Sequence, residues 1–371
     1  MDNELVSLLK ALIKIDTTNP PGNEIETEKI IIPFLEQNNI SYKIHRSCET
    51  RSNIIAEIGE KNSKTLLIAC HTDVVPAGDG WDTDPFDPVI KDKRIYGRGA
   101  IDNKGPLVAV LTAMKNLKKK ETDLNCRFVF AIVADEERGS THGMGYLLEN
   151  NLIHADYAII PDTAGNMRYI VTGEKGTLRL QYTFIGKQAH GSIPKDGINA
   201  IHFASEFVQK IKNYTLHHEP NKDFTPPTIN IGLIKGGSAI NIVPGKCDVT
   251  LDIRFLPDQN SKTIKEELDN IAKTCGKFES YIEISINPIL VEHDSKIVKI
   301  IQKATQKVNN ITAKTMTIGG GTVSKDLVKH NIISVGFGCG NHDMFHVANE
   351  SADIDELEQF SKVIEQIVLD F

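Results

Sequence analysis

The stretch Thr65-Leu66-Leu67-Ile68-Ala69-Cys70-His71-Thr72-Asp73 decides the fold. Its first six residues are uncharged and mostly apolar, the pattern of a strand covered on both faces. A histidine and an aspartate follow at the C-terminal end. Loops at that end of parallel strands are where open α/β sheets place ligands. Asp73, two residues past His71, is spaced to bond the imidazole and fix its tautomer, as carboxylates behind metal-bound histidines do. A structural histidine is the ordinary alternative at such a position.

Working outward, the same texture recurs. The apolar run Arg127–Ala134 ends in Asp135-Glu136-Glu137, and Tyr157–Ile160 ends in Pro161-Asp162. Carboxylates gathered at one strand end are costly unless solvated or neutralised by a cation. Between these runs lies Gly97-Arg98-Gly99-Ala100-Ile101-Asp102-Asn103-Lys104-Gly105, whose three glycines mark a tight backbone path. Leu107, Val110, Leu111, Met114 and Leu117 then recur at helical spacing. Asp102 thus sits in a turn feeding a helix, where a helix cap is its ordinary role. One imidazole with several carboxylates is a hard-to-borderline donor set, suited to zinc, cobalt or manganese.

Before these runs, helices are expected over Leu5–Ile15 and Glu24–Gln37, a loop over Asp16–Asn23, and a strand over Asn53–Glu57. From Leu178 the texture changes. Strand Leu178–Gly186, helix Gly197–Asn213, strands Thr228–Ile234 and Lys246–Phe255, helix Ser261–Cys275 and strand Tyr281–Asn287 read as β-α-β-β-α-β. This insert, placed at residues 177–289, separates a first domain formed by 1–176 and 290–371. Within it, His190 stands in a Gly-flanked loop, Asn241 near a Gly-rich turn, and Arg254 beside Asp252. Taken singly, these read as a loop histidine, a turn residue and a surface ion pair. After the insert come a helix over Ser295–Asn309, the turn Gly319-Gly320-Gly321, a strand over Ile332–Phe337 and a last amphipathic helix from about Ile354. The glycines are either a tight turn or a presenter of N–H groups to a carboxylate. His342 and His346 are four apart and share a face if helical; spacing does not choose between them.

The 371 residues exceed what one domain usually needs, and 40% hydrophobic with 25% charged residues is an ordinary soluble balance. A formal net charge of -7 argues against nucleic acid or an anionic membrane surface as partner. The basic run Lys118-Lys119-Lys120 falls where a helix ends, and cations suit that end. Six scattered cysteines, with no CxxC pair, argue against a disulfide framework or a thiolate zinc site. With no signal peptide and no membrane-length apolar run, a cytoplasmic protein is expected.

The ordered set Thr18-Asn19-Pro20-Pro21-Gly22-Asn23-Glu24, His71-Thr72-Asp73, Gly97 to Gly105, Asp135-Glu136-Glu137, Pro161-Asp162 and His346-Val347-Ala348-Asn349-Glu350 resembles the M20 metallopeptidases. That family includes acetylornithine deacetylase, succinyl-diaminopimelate desuccinylase, aminoacylase and glutamate carboxypeptidase. The resemblance implies an α/β, zinc-exopeptidase-like mixed sheet flanked by helices, with an inserted ferredoxin-like domain for dimerisation or lid closure. It implies two divalent ions per subunit, zinc first, with cobalt or manganese as alternatives. His71 and Asp162 would hold one and Glu137 and His346 the other. Asp102 would bridge them, with a cis peptide to Asn103. Glu136 matches the general base, Asp73 the residue orienting His71, and His190 a histidine that often serves the partner subunit's site. Asn241, Arg254 and Gly319, Gly320 and Gly321 match positions that hold substrate. The reaction implied is cleavage of the amide of an N-acyl amino acid, or alternatively of a dipeptide or C-terminal residue, by a cytoplasmic homodimer. One run departs from the family: Gly321-Thr322-Val323-Ser324-Lys325-Asp326 lacks the usual Thr/Ser-Asp after the glycines. That departure bears on which substrate is held, not on the chemistry. A non-catalytic binding protein on the same fold is expected to have lost the base or a ligand, and every matching position here holds a competent residue.

Overall fold

The structure is a computed structural model that describes residues 3–60, 63–163 and 165–371. Two compact units are present: Met1–Thr172 with Val291–Met316 and Thr322–Phe371, and Gly173–Leu290 with Thr317–Gly321. Each is described by itself.

The first unit opens with helix α1 (Glu4–Ile13), capped by the Asn3 side chain on the Val6 N–H, and α2 (Glu28–Gln37). The helix expected from Glu24 begins instead as a 3-10 turn, Glu24–Thr27. Strands β1 (Ser41–Arg46), β2 (Ser52–Gly59) and β3 (Thr65–His71) follow. After helix α3 (Lys104–Lys118) come β4 (Arg127–Val133), the short α4 (Met144–Glu149), β5 (Tyr157–Ile160) and β6 (Tyr169–Glu174). Every residue of β3 is buried. Its side chains alternate between two cores: Leu66, Ile68 and Cys70 in one, Leu67 and Ala69 in the other. That double burial is why the run shows no polar alternation.

The second unit is built on β7 (Gly176–Ile185), α5 (Ala200–Lys212), β8 (Thr228–Gly236), β9 (Lys246–Phe255), α6 (Ser261–Lys273) and β10 (Phe278–Ile286). Its sheet is antiparallel in the order β8-β9-β7-β10, the ferredoxin-like arrangement. Here one face is covered and the period-2 pattern is clean. Leu178, Leu180, Tyr182 and Phe184 point inward with Val249, Leu251 and Ile253, onto Ala204 and Phe207 of α5 and Leu268 of α6.

The chain returns to the first unit with α7 (Lys296–Asn309), α8 (Ser324–Lys329), β11 (Ile333–Gly336) and α9 (Ile354–Asp370). The sheet of this unit runs β1-β2-β4-β3-β5-β11-β6. Its centre is parallel, β4 with β3, β3 with β5 and β5 with β11, and the outer pairs are antiparallel. Residues of α1, α3, α7 and α9 share the core on one face of the sheet, and residues of α4 and α8 that on the other. Since β3, β4 and β5 run parallel, their C-terminal ends emerge at one edge. Among the described residues, no helix is long and apolar enough to cross a membrane. All six cysteines are free thiols, and only Cys48 is exposed.

Candidate metal centre

His71 is the last residue of β3, and Glu137 and Asp162 follow the ends of β4 and β5. Asp102 comes from the glycine loop just before α3, two residues ahead of Lys104. It caps nothing; its carboxylate turns to two histidines. Oδ1 lies 3.1 Å from His71 Nε2, and Oδ2 lies 3.0 Å from His346 Nε2. His71 Nε2 also stands 3.6 Å from Asp162 Oδ1, and His346 Nε2 stands 3.2 Å from Glu137 Oε1. Two trios result, His71-Asp102-Asp162 and Asp102-Glu137-His346, each with donor atoms within 4.8 Å of one another. The Asp102–Asn103 peptide is cis.

Of the two late histidines, His346 reaches the cluster. Its segment is not an α-helix: His342–Met344 is a single 3-10 turn, and His342 stacks on Phe345. His346 takes a left-handed backbone, φ 60°, as does Asn349, φ 58°. Asn349 is tied to Asp82 by reciprocal bonds, from the Asp82 N–H to Oδ1 at 2.9 Å and from Nδ2 to Asp82 Oδ2 at 3.2 Å.

Behind these donors lies a buried layer. His71 Nδ1 meets the Asp73 backbone carbonyl at 2.9 Å, and an Asp73 carboxylate oxygen at 3.5 Å. The Asp73 carboxylate mainly does something else. It accepts the Glu136 and Glu137 backbone N–H groups at 3.0 and 3.1 Å, anchoring the β4 loop. Asn103 Nδ2 donates to the Pro161 carbonyl at 2.8 Å, joining the Asp102 and Asp162 loops. Glu350, wholly buried, accepts from the N–H groups of Gly99, Ile101 and Asp102 at 2.9–3.0 Å, and Arg98 Nη1 donates to it at 2.7 Å. Lys104 Nζ donates to the carbonyls of Leu12 and Ile15 at 3.0 and 2.8 Å. Gly99 sits at φ +84°, where a Cβ would press on Val74 and Lys104. Arg98, Glu350 and Asn103 all lie inside the motifs of the sequence, but their roles did not emerge from it. The only local signal is a charge embedded among glycines and small apolar residues.

The electrostatics of this cluster call for positive charge. Burial raises the Asp162 carboxyl to about 6; the His71 hydrogen bond opposes this, and the Asp102 and Glu137 charges add to it. Glu136 is likewise pushed well up by burial and then by Asp162. Hydrogen bonds to Asp102 and Glu137 lift His346 to about 10. His71 rises too, since its bonds to Asp102, Asp162 and Asp73 outweigh the cost of burying an imidazolium. Burial opposes the Asp102 carboxylate, yet the bonds from His346 and His71 hold its pKa below the usual range. Crowded carboxylates that draw protons onto neighbouring imidazoles are a cation site by chemistry. The donors, N and O only, fit zinc, cobalt or manganese. Bond lengths of roughly 2.0–2.2 Å put neighbouring donors on a tetrahedral ion roughly 3.4 Å apart, and the observed separations of 3.0–3.6 Å suit that.

The remaining candidates belong to the second unit. His190 is exposed and bonds Ser192 Oγ through Nδ1 at 2.7 Å. Its loop meets that of Asn241, since Gly191 N–H donates to the Asn241 carbonyl at 2.7 Å and a Cβ on Gly191 would strike the Asn241 backbone. Arg254 is engaged by Asp252 at 2.8 and 3.2 Å and by Thr177 Oγ1 at 2.9 Å. Gly319 to Gly321 are exposed.

A sheet edge gathering two imidazoles and two carboxylates around one shared aspartate defines a candidate dinuclear metallohydrolase. The model of peptidase family M20/M25/M40 matches residues 67–370, and the chain belongs to that family. It is therefore a metal-dependent peptidase or deacylase. Over 98% of both chains it is 32% identical to an uncharacterized metallohydrolase of Methanocaldococcus jannaschii. Over 82% of this chain and 83% of the other, it is 32% identical to a succinyl-diaminopimelate desuccinylase of Nautilia profundicola. The fold is similar to that of aminopeptidase PepT from Bacillus cereus, with a TM-score of 0.82 at 21% identity, covering 99% and 97% of the two chains. It is also similar to a dinuclear metal-binding M20 peptidase of Bacillus subtilis, with a TM-score of 0.74 at 16% identity, covering 98% and 96%. The mixed sheet flanked by helices is thus the fold the sequence implied.

Proposed function

We propose that the chain is an N-acyl-amino-acid deacylase of the succinyl-diaminopimelate desuccinylase or acetylornithine deacetylase type. The observation that carries the metal chemistry is the split use of Asp102, one carboxylate oxygen toward each histidine, and what favours a deacylase is the likeness to a succinyl-diaminopimelate desuccinylase. His71 and Asp162 would hold one divalent ion and Glu137 and His346 the other, with Asp102 available to both and zinc the foremost metal. Bound there, the ions supply Lewis acidity, which brings the pKa of water toward neutrality and polarises an amide carbonyl. Glu136 is the general base. Its backbone N–H donates to Asp73 Oδ1, and on this reading its carboxyl takes the water's proton and delivers it to the departing amine. Burial, then the charges of Asp162, Glu137 and Asp73, raise its pKa against the pull of His71; divalent ions bound alongside would lower it toward the working range of a base that must also act as an acid. Asp73 backs His71 while it anchors the Glu136 loop.

To the second unit we assign substrate contacts and the dimer contact of a cytoplasmic homodimer. His190 stabilises the oxyanion, in its own subunit or its partner's, while Asn241, Arg254 and the Gly319–Gly321 turn hold the substrate, including a carboxylate. On this reading His190→Ala lowers kcat by roughly 10²–10³-fold, as loss of one oxyanion donor does. Metal content stays at the wild-type value by elemental analysis; a parallel loss of metal would make His190 a ligand or a structural residue.

The deciding experiment strips metal with a chelator, restores zinc, cobalt or manganese separately, and assays N-succinyl and N-acetyl amino acids against dipeptides. Activity should vanish with the metal, return on add-back, and be greatest on an acyl amino acid. A dipeptidase or carboxypeptidase using the same site is the second reading, and the departure in the run after Gly321 bears on which of the two substrates is held. Dipeptide turnover exceeding that of every acyl amino acid would establish it.

A further inference from the structure

The N-terminal loop carries a polar cluster that the proposed mechanism leaves unused. Its backbone is laced to the segment after β3: Thr17 Oγ1 donates to the Thr72 carbonyl at 2.6 Å, Asn19 N–H to the Val74 carbonyl at 2.9 Å, and Val74 N–H to the Thr17 carbonyl at 3.1 Å. Asn19, 2% exposed, sends Nδ2 to two carboxylates at once, Asp73 Oδ2 at 2.8 Å and Asp135 Oδ1 at 3.0 Å. Its Oδ1 accepts from Arg51 Nη2 at 2.9 Å. That bond sets which end of the amide faces the carboxylates, because a guanidinium can only donate.

Arg51 is itself buried. It pairs with Glu24 through Nη1, donates to the Pro21 carbonyl at 2.7 Å, and stands 3.6 Å from Asp135 Oδ1. Gly22, at φ +78°, leaves room for the guanidinium, which any Cβ there would overlap. Asp135 is the residue on which the chain turns from β4 into the Glu136-Glu137 segment. It takes a left-handed backbone, φ 61°, which a non-glycine residue keeps only where its surroundings hold it. Four bonds do so: Asn19 and the His142 N–H to its two carboxylate oxygens, its own N–H to Glu24 Oε1, and the Ser140 N–H to its carbonyl. Asn19 therefore grips both ends of one turn, Asp135 at the start and Asp73, the acceptor for the Glu136 and Glu137 N–H groups.

We propose that Asn19, oriented by Arg51, is a positioning residue for the Glu136 base, fixing the β4 turn through Asp135 and Asp73 without touching substrate. The inference rests on the reading of Glu136 as base. A displacement of about 1 Å at a reacting group costs on the order of 100-fold in rate. Asn19→Ala in the full-length, metal-loaded enzyme should therefore lower kcat roughly 10- to 100-fold, with KM within about twofold and the metal stoichiometry of the wild type. Arg51→Lys keeps the buried charge but loses the planar fork. It should show the same kcat-selective loss, and it carries the test if Asn19→Ala does not fold. Wild-type kcat per metal-loaded chain in the folded variant would overturn the proposal, as would a loss that follows metal content. Glu136→Gln, measured alongside, separates the two ideas. If it stays active, the base itself is misassigned. If it is inactive while Asn19→Ala is normal, only the positioning role falls.

Discussion

Glu136→Gln is expected to keep its full metal content and fold and to lose roughly 10²–10⁴-fold in kcat, the range a positioned general base supplies. The side chain contributes no atom to either donor trio, so metal binding does not depend on it directly. Its backbone bond to Asp73 Oδ1 survives the substitution, since it runs through the N–H of residue 136. What the amide cannot do is accept a proton and later return it. The loss should therefore fall on kcat and kcat/KM together, as for an interaction made only in the transition state. Steady-state kinetics, elemental analysis and near-UV circular dichroism on one preparation check all three parts. Near-normal turnover would remove Glu136 as base and direct the search to another carboxylate of the cluster. Loss of one equivalent of metal would make it a ligand.

Why the residues at the strand ends could be read from the sequence, while what holds them in place could not, is a matter of range. Strands β3, β4 and β5 announce themselves because they are buried on both faces, and the residues at their ends follow by counting. The alternation in β7 and β9 made the second unit equally legible. Short or polar elements were not. The edge strand Ser41–Arg46, helices Met144–Glu149 and Ser324–Lys329, and the small sheet pairing Ser351–Asp353 with Arg94–Tyr96 have too few apolar residues to show a period. The spacing of His342 and His346 would put both on one face only in a helix, and the segment is instead a 3-10 turn, with His346 itself in a left-handed backbone. Asp73 shows the limit best. Its closeness to His71 is a two-residue affair and visible in the sequence, although the backbone carbonyl meets the imidazole at 2.9 Å and the carboxylate stands at 3.5 Å. Its bonds to the Glu136 and Glu137 N–H groups span more than sixty positions. A carboxylate whose partners are backbone amides leaves no complementary residue type to look for.

Glu350 is the same case at higher stakes, and Arg98→Met tests it. The pair is 1% and 0% exposed, with Nη1 and Oε2 2.7 Å apart. The guanidinium also donates to the Ala77 carbonyl at 3.1 Å and lies over the Trp81 ring, its carbon 5.2 Å from the centroid. Methionine fills much of the volume but leaves the carboxylate with no cation bonded to it and only its three backbone donors. Burial and the Asp102 charge already push the Glu350 pKa up, against the bonds that steady its charge. Removing one partner of a buried ion pair costs about 3–5 kcal/mol. That loss should appear as a lowered urea midpoint in metal-free protein, where ligand binding adds nothing to apparent stability. Because two of the three donors are the N–H groups of Ile101 and Asp102, the strain falls on the residue both trios share. Metal affinity should therefore drop as well, by an isothermal titration on the folded fraction. Adding Glu350→Gln to Arg98→Met removes the stranded charge, so the double variant should be less destabilised than the sum of the two singles. A change within about 1 kcal/mol for Arg98→Met alone would mean that the glycine loop keeps its shape without this pair, and that Asp102 is held in place by Asn103, Lys104 and the loop's own backbone instead.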